Sequence, residues 1–175
     1  MRLERNSKQQ WRISDLVPFE LALLREIPQA GRPDGDERAT RRLYPGLFVE
    51  PEAQPDEDNE WDELVHPSLR SVFESALQRI QQDLGEAVPT GQKEQGDELW
   101  QIEVPADHAE AWLSGLNQAR LSLAERFDLY DDDDQPRSLP EPPTTLEQQM
   151  LWRAALQTEL YGYVMEWILE NVIDS

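Results

Sequence analysis

The sequence predicts a mainly α protein, a helical bundle with a small antiparallel β-sheet made from an N-terminal hairpin and a strand over 99–104. Two observations carry that class. Long segments at 66–84, 105–127 and 144–172 keep apolar residues at three- and four-residue spacing, the period of a helix with one buried face. Short segments near the N-terminus and at 99–104 alternate instead, the period of a strand. The 175 residues suit one ordinary domain, large enough to bury a core without staples. No internal repeat interrupts them.

In chain order, Leu3–Arg5 and Gln10–Ile13 pair across Asn6-Ser7-Lys8 as a short hairpin. Pro18 suits the first turn of a helix that runs to Ile27 and stops at Pro28, with Phe19, Leu23 and Ile27 on one face. Pro28, Gly31, Pro33 and Gly35 make 28–35 a loop. A short helix follows over Asp36–Leu43, ended by Pro45-Gly46. An acidic, Pro-bearing connection at 50–59 leads to a short acidic helix over 57–65.

His66-Pro67 opens the clearest helix of the first half. Leu69, Val72, Phe73, Ala76, Leu77, Ile80 and Leu84 form its apolar stripe, which should be buried, and Gly85 stands where a C-terminal cap belongs. Residues 86–96 read as a loop with Pro89, Gly91 and Gly96. Trp100, Ile102 and Val104 then share one side of a strand whose expected partner is the N-terminal hairpin. Pro105-Ala106-Asp107 starts a helix to Phe127 with Trp112, Leu113, Leu116, Ala119, Leu123 and Phe127 inward. Residues 131–143 form an acidic, Pro-rich loop. Thr144 with Glu147, and Thr145 with Gln148, each match a capping box for the last helix.

That last helix is apolar on two sides. Leu146, Met150, Tyr161, Val164, Ile168 and Val172 line one, while Trp152, Leu156, Leu160, Tyr163 and Trp167 line another, more than a right angle away. Such a helix either sits centrally in the bundle, the simpler expectation, or shows one face to a protein partner or a second copy.

Thirty-six acids against sixteen Lys and Arg give a net charge of −20. That surface repels phosphate backbones and anionic lipid, so nucleic-acid and membrane binding are not expected. No stretch is apolar for long enough to span a bilayer, and the first residues do not resemble a targeting segment. With no cysteine, thiol chemistry and disulfides are excluded, and a cytoplasmic location is expected. His66 and His108 stand apart in sequence, so no metal site and no cofactor are expected. The run Asp131–Asp134 fails as a calcium loop, since Pro136 and Pro142 occupy the sixth and twelfth positions. Phosphate-cradling glycine loops and nucleophile elbows are absent, so no catalytic residue is assigned.

One charge breaks its pattern. Arg120 lies within the apolar stripe of its helix, with Asn117 one turn earlier at the stripe edge. A buried guanidinium needs a carboxylate, because an unpaired buried charge costs on the order of 3–5 kcal/mol. Glu60 is the first candidate partner and Glu166 the second. The group is either a core ion pair or the wall of an anion pocket.

Three stretches resemble a bacterial family of uncharacterised activity, domain of unknown function 2017. Arg42-Leu43-Tyr44-Pro45-Gly46-Leu47-Phe48 is similar to its Arg-Leu-x-Pro-x-Ala-Tyr. Glu60-Trp61-Asp62-Glu63-Leu64, then Leu69-Arg70, resembles Glu-Phe-Arg-Arg-Leu followed by Leu-Arg. Trp112-Leu113 through Leu116-Asn117-Gln118-Ala119-Arg120-Leu121-Ser122-Leu123 resembles Trp-Leu-x-x-Leu-Asn-Asp-x-Arg-Leu-x-Leu, and Tyr161-Gly162-Tyr163-Val164 echoes Tyr-Asp-Trp-Leu. Gln118 and Gly162 replace acids of the family pattern, and Asp62-Glu63 replaces a basic pair. The resemblance implies a helical protein with Arg42, Glu60, Asn117 and Arg120 at family-type positions, and these four with Glu166, the second candidate partner of Arg120, are the expected buried polar cluster.

Two functional expectations follow. The first is a non-enzymatic interaction or regulatory module working through the face of Trp152, Leu156, Leu160, Tyr163 and Trp167, or through its acidic surface. The alternative is a binder of a small anion or metabolite, or an enzyme, using a polar pocket around Arg120 and Glu60.

Overall fold

The computed structural model describes residues 1–7, 9–46, 63–92, 96–131, 135–139 and 142–173. The connection at 50–59, Glu60 and most of the acidic helix expected over 57–65 lie outside them. The fold is mainly helical with one four-stranded antiparallel sheet.

The N-terminal hairpin comprises β1 (Arg2–Ser7) and β2 (Gln10–Leu16). Trp11 and Ile13 are buried and Arg12 is half-buried, as strict alternation requires. That alternation alone would turn Leu16 outward. A register shift after Ile13, with Asp15 at φ 54°, supplies one extra residue and returns Leu16 to the core. The short polar Asp side chain tolerates this left-handed backbone.

The helix expected over Pro18–Ile27 ends earlier. α1 spans Pro18–Arg25, and Pro28 then sits in the first turn of a separate short helix, α2 (Ile27–Ala30). A proline without an N–H is harmless there, so Pro28 opens a turn of helix instead of starting the loop expected over 28–35. Phe19 is a second correction. It is 52% exposed, and α1 buries Leu21, Leu23 and Leu24. α3 (Glu37–Leu43) is capped by Asp36, whose side chain accepts from the Ala39 N–H at 2.8 Å.

α4 (His66–Gly85) buries only its second half. Ala76, Leu77, Ile80 and Leu84 are inside, whereas Val72 is 61% exposed, because the first turns extend beyond the bundle. Val88–Gln92, expected as part of a loop, forms β3 and pairs with β4 (Glu98–Pro105). Pro89 is acceptable because β3 is an edge strand, and the register shift falls between Pro89 and Gly91, where φ is 153°. The sheet order is β1-β2-β4-β3, so the N-terminal hairpin does pair with the strand of Trp100, Ile102 and Val104.

A single 3₁₀ turn at Ala106–His108 leads into α5 (Ala109–Phe127), the helix that packs on α2, α3 and α4. It also carries α6 (Leu146–Ile168), which ends in a π turn over Leu169–Ile173. Thr145 and Gln148 form the capping box of α6. Three tryptophans join the layers. Trp11 of the sheet meets Trp112 of α5 edge-to-face at 5.3 Å between centroids, and Trp167 of α6 at 5.8 Å.

Gly115 permits the close approach of α4 to α5. A Cβ there would stand 2.4 Å from Ile80 Cδ1. No helix among the described residues is long and apolar enough to cross a membrane.

Candidate functional site

α6 is not the central rod of the bundle. Its inner face buries Ala154, Gln157, Tyr161, Val164 and Ile168. The Tyr161 hydroxyl donates to the Leu23 carbonyl at 2.6 Å and accepts from Gln157 at 3.2 Å. Burial pushes the Tyr161 phenol well above the ordinary tyrosine range. Met150 and Ala154 stand beside Leu123 and Phe127 at the end of α5, so the turns before Met150 run past their supporting helix. That corrects the expected inner face: Leu146 is 73% and Met150 49% exposed.

An apolar groove of about 920 Å³ results, between the start of α6 and α1. Leu146, Met150, Trp152 and Leu156 of α6 line it together with Phe19 of α1 and Pro142-Pro143. Arg153 stays at its rim because its Nε donates to Glu26 at 3.2 Å, an interaction that raises the guanidinium pKa further. The face expected to meet a partner therefore divides. Trp167 and Leu160 pack onto the core, Trp152 is half-buried in the groove wall, and Leu156 and Tyr163 are exposed.

A second cleft, about 390 Å³, opens between α3, α5 and the segment after α5. It brings Arg42 to Asn117 and Arg120, more distant in sequence, and adds Arg38, Arg137 and Tyr130, which the sequence did not single out. The cluster is not buried as expected. Arg42 and Asn117 are exposed, and Arg120 is half-buried. Arg42 is exposed at the end of a short helix, and Asn117 sits at the solvent edge of its stripe. Glu166 is exposed and does not line the cleft, and Glu60 lies outside the described residues. The carboxylate partner expected for Arg120 is thus missing among the described residues. Its Nε is buried without a hydrogen-bond partner, and Nη1 has only the Met165 sulfur at 3.9 Å. The guanidinium instead lies over Gly162, where a Cβ would stand at an ordinary contact distance, 3.5 Å from the guanidinium carbon.

Two acids of this cleft, Glu125 and Asp128, are engaged by its other arginines. Arg38 contacts Asp128 at 3.1 Å and Glu125 at 3.6 Å, and Arg137 contacts Asp128 at 2.9 Å. Asp128 holds that position because it caps α5 in the left-handed region, at φ 51°.

A third polar group joins α4 to the start of α5. Asp83, 7% exposed, accepts from the indole N–H of buried Trp112 at 2.8 Å. His108 Nδ1 lies 3.0 Å from the same carboxylate, and Arg79 approaches its Nε2 at 3.1 Å. Nothing in the sequence announces this pairing, because Asp83 and His108 sit 25 positions apart on different elements. Among the described residues no group of three or more His, Asp or Glu could hold a metal ion.

The model of one family, Domain of unknown function (DUF2017), matches residues 7–174. The chain belongs to that family. The match takes in both the groove and the arginine cleft of this DUF2017 domain. No curated protein matches the chain. Nor does any solved structure.

Proposed function

We propose that this DUF2017 domain is a cytoplasmic protein-interaction module whose groove at the start of α6 seats a basic amphipathic helix of a partner. The observation that carries the reading is the exposure of Phe19, Leu146, Met150 and Leu156 around one apolar groove. These side chains are 39–73% exposed, so a covering partner would recover part of the roughly 1.5–3 kcal/mol that full burial of each is worth.

The partner's chemistry follows from the outward stripe of α6. Trp152, Leu156, Glu159, Tyr163 and Glu166 recur at alternating spacings of four and three, the repeat that a second helix would read. Leu156, Glu159, Tyr163 and Glu166 are exposed. Apolar anchors interleaved with two glutamates suit a helix with Leu-type anchors flanked by Lys or Arg. A second copy would set the same glutamates against each other on a chain already at −20. The lack of cysteine fits a reducing compartment.

The test titrates a labelled helical Leu/Lys peptide of about 16 residues against the protein and its Leu156→Glu variant, at low and moderate salt. Micromolar binding that Leu156→Glu weakens by about tenfold or more, despite its added negative charge, supports the groove. Equal binding by both proteins means mere charge attraction and refutes it. Concentration-dependent dimerisation by light scattering, lost in Leu156→Glu, would overturn it in favour of a second copy.

A further inference from the structure

The cleft between α3, α5 and the segment after α5 has a composition at odds with the rest of the molecule. Sixteen Lys and Arg are set against 36 acids in the whole chain, yet four arginines line this one cavity. Charge pairing accounts for only two of them. Arg38 and Arg137 share Asp128 between them, with Glu125 beside Arg38. Asp131, the remaining acid of the wall, accepts from the Gln135 N–H at 2.8 Å. Arg42 and Arg120 have no carboxylate within ion-pair distance among the described residues.

A solvated surface face accounts for Arg42 in isolation, because a cation in the last turn of α3 is favoured by the helix dipole. It does not account for Arg120. The Arg120 Nε is sealed from water and donates to nothing, while the guanidinium borders the cavity. A buried Nε–H without an acceptor is costly, and Gly162 stands beside it where a side chain could have carried that acceptor.

We propose that this cleft is a binding site for a small oxyanion, a carboxylate or phosphate group, held between Arg42 and Arg120. The planar forks of two guanidinia match the two oxygens of such a group. Asn117 adds an exposed amide to the lining, and Leu121 and Ala124 add apolar surface. At about 390 Å³ the cavity has room for a small metabolite bearing the anion and not only for the anion itself. The Arg38–Asp128–Arg137 group acts as the scaffold, fixing the wall without competing for the ligand. The site is separate from the groove at the start of α6 and does not depend on the partner proposed for it.

The experiment titrates inorganic phosphate and succinate by calorimetry into the full chain, against chloride at matched ionic strength. Two variants accompany it. Arg42→Gln removes an exposed arginine with no ion pair among the described residues, so its unliganded Tm should fall by about 4 °C at most, the helix-dipole contribution. Gly162→Asp places a carboxylate beside Arg120 from a position where a Cβ meets only ordinary contact distances. Saturable binding of at least one anion is expected, weakened about tenfold or more in Arg42→Gln. In Gly162→Asp binding should be abolished and the unliganded Tm raised, because the internal carboxylate takes the ligand's place. Phosphate binding without succinate assigns the site to phosphate groups, and the reverse assigns it to carboxylates. No saturable binding above the chloride control overturns the proposal. So does an affinity left unchanged by both variants.

Discussion

Asp83→Asn gives the sharpest test of how the helices are joined. The Asp83 carboxylate accepts from two donors, the Trp112 indole N–H at 2.8 Å and His108 Nδ1 at 3.0 Å. Asparagine keeps one acceptor oxygen. At the Oδ2 position it can take both the Trp112 indole at 2.8 Å and His108 Nδ1 at 3.1 Å, but the amide N–H₂ then stands at the Oδ1 position, 3.0 Å from the same His108 nitrogen. If His108 moves its proton to Nε2 to relieve that clash, the proton points at Arg79 Nη1, 3.1 Å away and also a donor, so exposed Arg79 must turn to water. Each arrangement opposes two donors or breaks the Arg79 contact, a penalty of up to about 2 kcal/mol. Replacing the charged acceptor weakens the surviving bond by about 1 kcal/mol.

The expected loss is therefore about 1–3 kcal/mol. For a chain of this size that corresponds to a fall in Tm of roughly 2–12 °C, at 2–4 °C per kcal/mol. Urea unfolding followed by far-UV circular dichroism measures the loss at constant m. In the cycle with His108→Ala, where the Nδ1 donor is gone, part of the penalty should vanish, a coupling of roughly 0.5–3 kcal/mol. A loss below about 0.5 kcal/mol, or strictly additive variants, would refute the claim that this carboxylate pins α4 to α5.

Tyr161→Phe removes the donor to the Leu23 carbonyl, which still accepts from the Glu26 N–H at 3.2 Å, so a modest loss of about 1 kcal/mol is expected in the same urea assay. The raised folded pKa of Tyr161 means that folding favours its neutral phenol. That contribution is complete below the unfolded tyrosine value of about 10 and declines as pH rises beyond it, so absorbance at 295 nm should show Tyr161 ionising only with unfolding. Glu74 is the opposite case, its folded pKa lowered first by the hydrogen bond from Arg32. Its contribution is present above about pH 4.3 and lost as pH falls, and with the side chain 43% exposed Glu74→Gln should cost only about 0.5 kcal/mol or less at neutral pH. Gly115→Ala should destabilise by about 1–2 kcal/mol, a clash with Ile80 Cδ1 partly offset by better helix propensity, and Ile80→Val should rescue it by removing the clashing methyl, as thermal scans of the double variant would show.

Much of this fold was legible because it is set by neighbours in sequence. The Thr145–Gln148 capping box fixes where α6 begins, and the Asp36 side chain fixes α3, through hydrogen bonds spanning three residues. The alternation of Trp100, Ile102 and Val104 declared β4. Within the arginine cleft, Arg120 stood out because a charge inside an apolar stripe demands an explanation. Arg38 and Arg137 carried no such mark, since each looks like an ordinary surface cation until Asp128 draws them to one wall.

What only the tertiary structure decided shares one physical cause: the free energy of each feature depends on a surface supplied from elsewhere in the chain. β3 exists because β4 offers an edge that accepts Val88–Gln92 despite its proline and glycine. Leu146 and Met150 are exposed because α5 stops at Phe127, which no periodicity within α6 can reveal. Arg120 lacks a carboxylate because the residue opposite it on α6 is a glycine, and only the packing angle of the two helices brings them together. Periodicity and caps state which face of each element must be covered. The lengths and crossings of the neighbouring elements determine what covers it, and where the cover runs out the groove and the cleft remain.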